Sequence, residues 1–157
     1  MPNAEHVHPL LFGECRCTPD EAANVDLILR YRSAPTVERR RFFAPGYRRH
    51  RPGLVHLGEI SGAAEGDRSG MITDDALPDR HDEIIDIVAS GDRVTAMWRV
   101  QGTHDGPLEG VAATHRGVDV EEVGMWRIVD GLITDSWFLA DEAALVRQIG
   151  LPLHHGE

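Results

Sequence analysis

Between residues 82 and 139 the chain runs through four successive β-type stretches, and this series restricts the fold more than any other feature. The stretches are Asp82 to Ala89, Arg93 to Thr103, Gly117 to Arg127 and Leu132 to Leu139. Turn signals separate them at Ser90-Gly91-Asp92, at His104-Asp105-Gly106 and at the hairpin pair Asp130-Gly131. Alternation with period two, interrupted by Gly and Asp, predicts an antiparallel meander with one face turned to a core. That face needs a cover, and the residues before it supply one. Thr18-Pro19-Asp20-Glu21 has a capping residue, a proline suited to the first helical position and a glutamate that completes a capping box. A helix of three to four turns follows, with Val25, Leu27, Ile28, Leu29 and Tyr31 as its apolar side, and Ser33-Ala34-Pro35 ends it. A second short helix is expected from Thr36 to Phe43. At the other end Asp141 reads as the cap of a helix through Ala143, Leu145, Val146 and Ile149, stopped at Gly150. Helices, then an antiparallel sheet, then a terminal helix is an α+β pattern, expected to close as a curved sheet packed on N-terminal helices around a pocket.

The chain has 157 residues, enough for one domain, and its net charge is −10. We assign residues 1–17 to a flexible arm and residues 18–157 to the domain. The stretch from Gly53 to Asp79 is rich in Gly, Ser and Asp, so a helix around Ser69 to Leu77 is only weakly specified and mobility is expected near Ser61 to Gly70. All basic residues are arginine; with no lysine, Schiff-base and P-loop chemistry are excluded. Acidity and an aromatic content of 6% argue against a nucleic-acid partner, and Arg39, Arg40, Arg41, Arg48, Arg49 and Arg51 read as a solvated or phosphate-tolerant face. No apolar run is long enough for a membrane span and the N-terminus lacks the marks of a signal peptide, so a cytoplasmic location is expected. Cys15 and Cys17 are too close for an unstrained mutual disulfide. With His6 and His8 they could assemble a zinc site, but the spacing matches no common finger and no metal is expected.

Candidate chemistry comes from polar residues on apolar strand faces. In Gly117 to Arg127 one face carries Val118, Val120, Glu122, Gly124 and Trp126, and Glu122 is its exception. A carboxylate among valines and a tryptophan is withdrawn from water, which suits general acid or base work; the alternative is that it pairs with an arginine at a subunit interface or lies at the sheet margin. Trp98 lies with Val94, Ala96 and Val100 on one face of its strand, as core or as pocket wall. His50 follows the second helix near the expected pocket mouth and is the second catalytic candidate, otherwise a surface or capping histidine. His104 most simply organises its turn, with a direct role as the alternative. No Gly-x-Ser-x-Gly, dinucleotide, His-Glu-x-x-His or Cys-x-x-Cys motif occurs. Cofactor-free acid–base chemistry, or binding without chemistry, remains.

Six motifs in order carry a resemblance: Tyr47-Arg48-Arg49-His50-Arg51-Pro52, Leu77-Pro78-Asp79, Gly91-Asp92-Arg93-Val94, Gly102-Thr103-His104-Asp105-Gly106, Arg127-Ile128-Val129-Asp130-Gly131, and Trp137 with Asp141 followed by Arg147-Gln148-Ile149-Gly150. Over residues 24 to 150 the chain resembles the SnoaL-like polyketide cyclases of the NTF2-like α+β cone group. The resemblance implies a homodimer or homotetramer with one pocket per cone, in which a polyketide-like small molecule, an ester, closes a ring by intramolecular aldol condensation without a cofactor, in secondary metabolism such as antibiotic biosynthesis. The position resembling the family's catalytic aspartate is Phe138, and its histidine position is Gly124. Both departures leave the family's aldol mechanism without its usual groups, while Glu122 retains an acidic residue on the same side. Asp141 also matches an acidic family position, although its context is that of a helix cap. The expected site therefore has Glu122 as acid or base, His50 as its partner or a substrate hydrogen-bond donor, and Tyr47, Trp98, Gly124, Trp126 and Phe138 around an apolar pocket. Dehydration, epoxide opening, a hydroxylation-assisting step and non-catalytic ligand binding are the alternatives.

Overall fold

The computed structural model describes residues 17–50, 59–61, 74–108 and 111–151. Helix α1 spans Pro19–Ser33 and begins as the sequence predicts: the Thr18 side chain accepts from the Glu21 N–H, and Glu21 accepts from the Thr18 N–H at 2.9 Å. Its buried residues are Val25, Leu27, Ile28 and Tyr31. The second short helix forms as a 3-10 helix over Thr36–Phe42.

The strands are β1 (Phe43–His50), β2 (Glu59–Ser61), β3 (His81–Ser90), β4 (Arg93–Thr103), β5 (Gly117–Val129) and β6 (Leu132–Ala140). They form one sheet in the order β2-β1-β6-β5-β4-β3. Every pairing is antiparallel except β1 with β6. The four predicted strands occur within a few residues of their expected ends. Strand β1 was not expected: it contains Pro45 and Gly46, and its ladder is interrupted between Phe43 and Arg48. The predicted tight turn after β4 is instead a loop running to Gly117, with an isolated bridge between Leu108 and Val111. Asp141 caps helix α2 (Glu142–Gln148) by accepting from Ala144 N–H at 2.9 Å. Of the weak helix expected from Ser69 to Leu77, residues 74–77 form a turn rather than a helix, and its earlier part, the zinc alternative's His6, His8 and Cys15, and Arg51 lie outside the described residues.

Strand register defines two faces. Ile84, Trp98, Glu122 and Ala140 make one row of the inner face, and Ile87, Ala96, Gly124 and Phe138 make the next. This face meets α1 and holds the core. Tyr31 of α1 meets Phe42, Phe43 and Trp126 edge-on at 5.5–6.2 Å between centroids. On the outer face, His50, Trp137, Met125, Thr95 and Val88 fall in one row. The segment leading into β3 is pinned to the end of β4. Asp79 accepts from the Thr103 N–H and hydroxyl at 2.6 and 2.8 Å, and Ala76 C=O accepts from the Asp105 and Gly106 N–H groups at 3.2 Å. This anchoring fixes where Arg80 leaves the backbone.

Candidate active site

Alternation along β5 sends Glu122 to the inner face, where it is 5% exposed. Trp98, directly opposite on β4, donates its indole N–H to Glu122 Oε2 at 3.0 Å. Arg80 Nη2 stands 3.8 Å from the same oxygen. Arg80 also grips Asp82, with its Nε 2.7 Å from Oδ1 and its Nη2 3.0 Å from Oδ2. From the last turn of α1, Arg32 donates to Asp82 Oδ2, and its guanidinium lies 4.0 Å over the Trp98 ring. Arg32, Asp82, Arg80, Glu122 and Trp98 are thus one connected, largely buried cluster in which each carboxylate faces a guanidinium.

Local sequence places each member. Arg32 follows Val25 and Ile28 at helical spacing, so it lies on the buried stripe of α1. Asp82 and Ile84 share the inner face of β3, and Arg80 leaves the pinned segment just before it. Burial opposes the charge on Asp82, but the hydrogen bond from Arg80 and the charges of Arg32 and Arg80 outweigh it and hold the carboxyl below its ordinary range. For Arg80, burial likewise opposes charge, and the Asp82 hydrogen bond with the Asp82 and Glu122 charges raises the guanidinium above its usual value. Burial pulls Arg32 the other way, below its usual value, against the pull of Asp82.

A cleft of about 370 Å³ opens beside this cluster, lined by Arg32, Arg39, Asp74, Leu77, Arg80 and Asp82 among others. Arg80 belongs to its wall and reaches Glu122 behind it. None of the five residues expected as pocket walls lines this cleft. Tyr47, Trp98, Trp126 and Phe138 are 0–2% exposed; Trp98, Trp126 and Phe138 pack on one another, Trp126 also meets Tyr31 of α1, and Tyr47 stacks on Phe43. Gly124 leaves room for them: a Cβ there would stand 2.6 Å from the Trp126 ring and 2.9 Å from Trp98. The indoles therefore fill the volume that a side chain at this position would need. Tyr47 hydrogen-bonds the Ser136 hydroxyl, and burial raises its phenol far above the ordinary range.

The expected partnership of Glu122 with His50 is corrected by the register. His50 sits on the outer face, stacked on Trp137 at 4.7 Å, with Nε2 3.8 Å from Asp135 Oδ1. Its neighbour Arg49 takes the inner position instead, 8% exposed and with its guanidinium 4.3 Å over Phe138, so it leaves the solvated arginine face proposed from the sequence. His104 is fully buried and holds the loop after β4: Nδ1 meets the Thr114 hydroxyl at 2.9 Å, and its backbone bonds Thr114, His115 and Arg116. Asp141 is exposed and engaged as the α2 cap. Both keep the structural role that their sequence context suggested. Arg32, Arg49, Arg80 and Asp82 are the residues that sequence reasoning missed. A polar residue on an apolar helical stripe marks Arg32, and Asp82 preceding Ile84 by two marks the inner face of β3. Among the described residues no group of three or more His, Cys, Asp or Glu side chains is placed to hold a metal ion.

The model of the SnoaL-like polyketide cyclase family matches residues 38–149. The chain belongs to the SnoaL-like polyketide cyclase family. Solved structures agree on the NTF2-like fold. A protein from Jannaschia sp. CCS1 described as a SnoaL-like polyketide cyclase is 22% identical, with a TM-score of 0.76 over 87% of this chain and 98% of that one. AclR of Streptomyces galilaeus, described as a hydroxylase, is 23% identical, with a TM-score of 0.71 over 87% and 91%. IdmH of Streptomyces antibioticus, described as a polyketide cyclase, is 26% identical, with a TM-score of 0.63 over 82% and 99%. No curated protein matches the chain.

Proposed function

We propose that this SnoaL-like protein is a cofactor-independent acid–base enzyme that closes or rearranges a ring in a polyketide-type substrate of secondary metabolism. The observation that carries this reading is the burial of Glu122 on the inner face, with Oε2 held between the Trp98 N–H and Arg80. Glu122 serves as the proton acceptor and donor. Trp98 and Arg80 orient its carboxylate, and the adjoining cleft brings the substrate to the Arg80 side of the cluster. Holding the reacting atoms of one molecule together supplies on the order of 7 kcal/mol of the barrier, so one modest base suffices. His50 has no part in this reading. The working unit is a homodimer, which the apolar outer sheet face favours, located in the cytoplasm; among the described residues no helix is long and apolar enough to cross a membrane.

Glu122→Gln keeps the shape and removes the proton acceptor. Its turnover of a linear polyketide intermediate is expected to fall by about 100-fold or more, with circular dichroism unchanged. Unaltered turnover removes Glu122 from the mechanism. Product mass distinguishes a second reading, favoured by the fold shared with AclR. A simple cyclisation conserves mass, whereas gain of an oxygen atom assigns a hydroxylation-assisting role and loss of water a dehydration.

A further inference from the structure

Arg80 holds the two carboxylates of the Glu122 cluster in unequal ways. It grips Asp82 at two points, with Nε 2.7 Å from Oδ1 and Nη2 3.0 Å from Oδ2, yet the same Nη2 stops 3.8 Å from Glu122 Oε2. An N–H···O hydrogen bond forms at about 2.9 Å, so roughly 1 Å separates Arg80 from bonding Glu122. Asp82 is itself fixed from the other side. Arg32 donates to its Oδ2 and rests 4.0 Å over the Trp98 ring, whose N–H goes to Glu122 Oε2 at 3.0 Å. Asp82 is therefore joined to Glu122 by two routes, through Arg80 and through Arg32 with Trp98. Arg32, Asp82 and Arg80 are all largely buried, so water does little to loosen either grip.

A carboxylate gripped at two points by a guanidinium stays ionised and is a poor proton acceptor. Asp82 behaves in this way: the bond from Arg80 and the charges of Arg32 and Arg80 hold its carboxyl below the ordinary range in spite of burial. We propose that Asp82 is a positioning residue that occupies Arg80 and so keeps that guanidinium from closing on Glu122, which preserves the glutamate as a proton acceptor. That this restraint serves proton transfer rests on the acid–base reading above; that Asp82 sets the distance from Arg80 to Glu122 does not. Asp82 neither gives nor takes a proton in the reaction. Charges bear on Glu122 from Arg32 of α1 and from Arg80 in the segment before β3, with Asp82 of β3 held by both and Asp74 acting on Arg80 from the preceding turn. Strand β4 supplies the neutral Trp98, and β6 sets Ala140 opposite. Removing the Asp82 charge releases Arg80 towards Glu122 and deletes a neighbouring negative charge, and both changes favour the ionised glutamate. Removing Arg80 does the opposite.

A crystal structure of full-length Asp82→Asn tests the geometry. Arg80 is expected at about 2.9 Å from a Glu122 oxygen, and an Arg80 that keeps its parental distance or turns away overturns the proposal. The Trp98 indole resonance in 15N NMR reports on Glu122 without any substrate, because that N–H is donated to its carboxylate. Its pH midpoint should fall by about one unit in Asp82→Asn and rise in Arg80→Met. In the Arg80→Met background, Asp82→Asn should move the midpoint less than about half as far. Equal displacement in both backgrounds, or a parental midpoint accompanied only by lost stability, overturns the action through Arg80. Trimethylamine N-oxide, which favours the folded state, keeps the destabilised variants measurable. Turnover of a linear poly-β-ketone methyl ester then connects the restraint to the chemistry. Asp82→Asn should lose about tenfold in kcat with KM unchanged, and an undiminished kcat overturns the proposal. Parental turnover by Glu122→Gln defeats the acid–base role and leaves the hold of Asp82 on Arg80 standing, whereas slow Glu122→Gln with an unmoved Arg80 in Asp82→Asn defeats the restraint alone.

Discussion

Gly124 illustrates how much a single position can decide. Its lack of a side chain admits the Trp126 and Trp98 rings, which approach to 2.6 and 2.9 Å of where a Cβ would stand. Both neighbours are rigid and fully buried, so neither can give way cheaply. Gly124→Ala is expected to cost about 1–3 kcal/mol in urea denaturation, with tryptophan fluorescence altered in the native state. Asp82 makes a prediction of its own in pH. Its folded-state pKa lies below its ordinary value because Arg80 and Arg32 hold the carboxylate against burial. The stability it contributes is therefore complete above the unfolded value of about 3.9 and is lost as pH falls through the lower folded value. Near neutral pH, Asp82→Asn strands two buried guanidiniums and should cost about 3 kcal/mol. The difference from the parent should shrink steadily below about pH 4 in denaturation curves, and a constant difference refutes the linkage. Glu122 was legible because strand alternation is a local rule. The role of His50 was not, because the strand that carries it was not recognised.

At the scale of elements, the start of α1 and strand β1 behave in opposite ways. The α1 start is written in four consecutive residues, and the capping box forms as they require. Tertiary structure then makes Glu21 a bridge as well as a cap. Its Oε1 accepts from the Gly91 N–H in the β3–β4 turn at 2.9 Å, and that bond, with those at Thr18, lowers its carboxyl below the usual range. Thr18→Ala should lower stability by about 1 kcal/mol in thermal or urea denaturation. It should also speed amide exchange at Gly91, since the same glutamate joins the two places; exchange confined to the first turn of α1 contradicts that coupling. Strand β1, by contrast, has a proline, a glycine and consecutive arginines, a composition that local preference assigns elsewhere. It becomes a strand because β6 offers it a parallel edge and Tyr47 and Arg49 find the inner face. That pairing puts Arg48 and His50 outside beside Asp135, with Arg48 Nη2 at 2.7 Å.

For the whole molecule the outer sheet face is the open question of partnership. Val123, Met125, Trp137 and Leu139 lie there on neighbouring strands and remain exposed, Leu139 to 61%. A contiguous apolar surface of this kind on a sheet is the mark of an interface. Sedimentation should show a dimer at micromolar concentration that Leu139→Glu converts to monomer while leaving the circular dichroism intact; a parent protein that sediments as a monomer refutes the homodimer. The sequence by itself determined the four-strand meander, the caps of both helices and the inward carboxylate of β5, since each depends on spacing within a few residues. Only the tertiary structure decided that two arginines, from α1 and the approach to β3, and an aspartate of β3 gather beside that carboxylate, that the tryptophans and Phe138 fill the core, and that His50 faces outward. Those outcomes depend on which distant segments pair and on which groups then share a buried volume, and no short-range pattern encodes either.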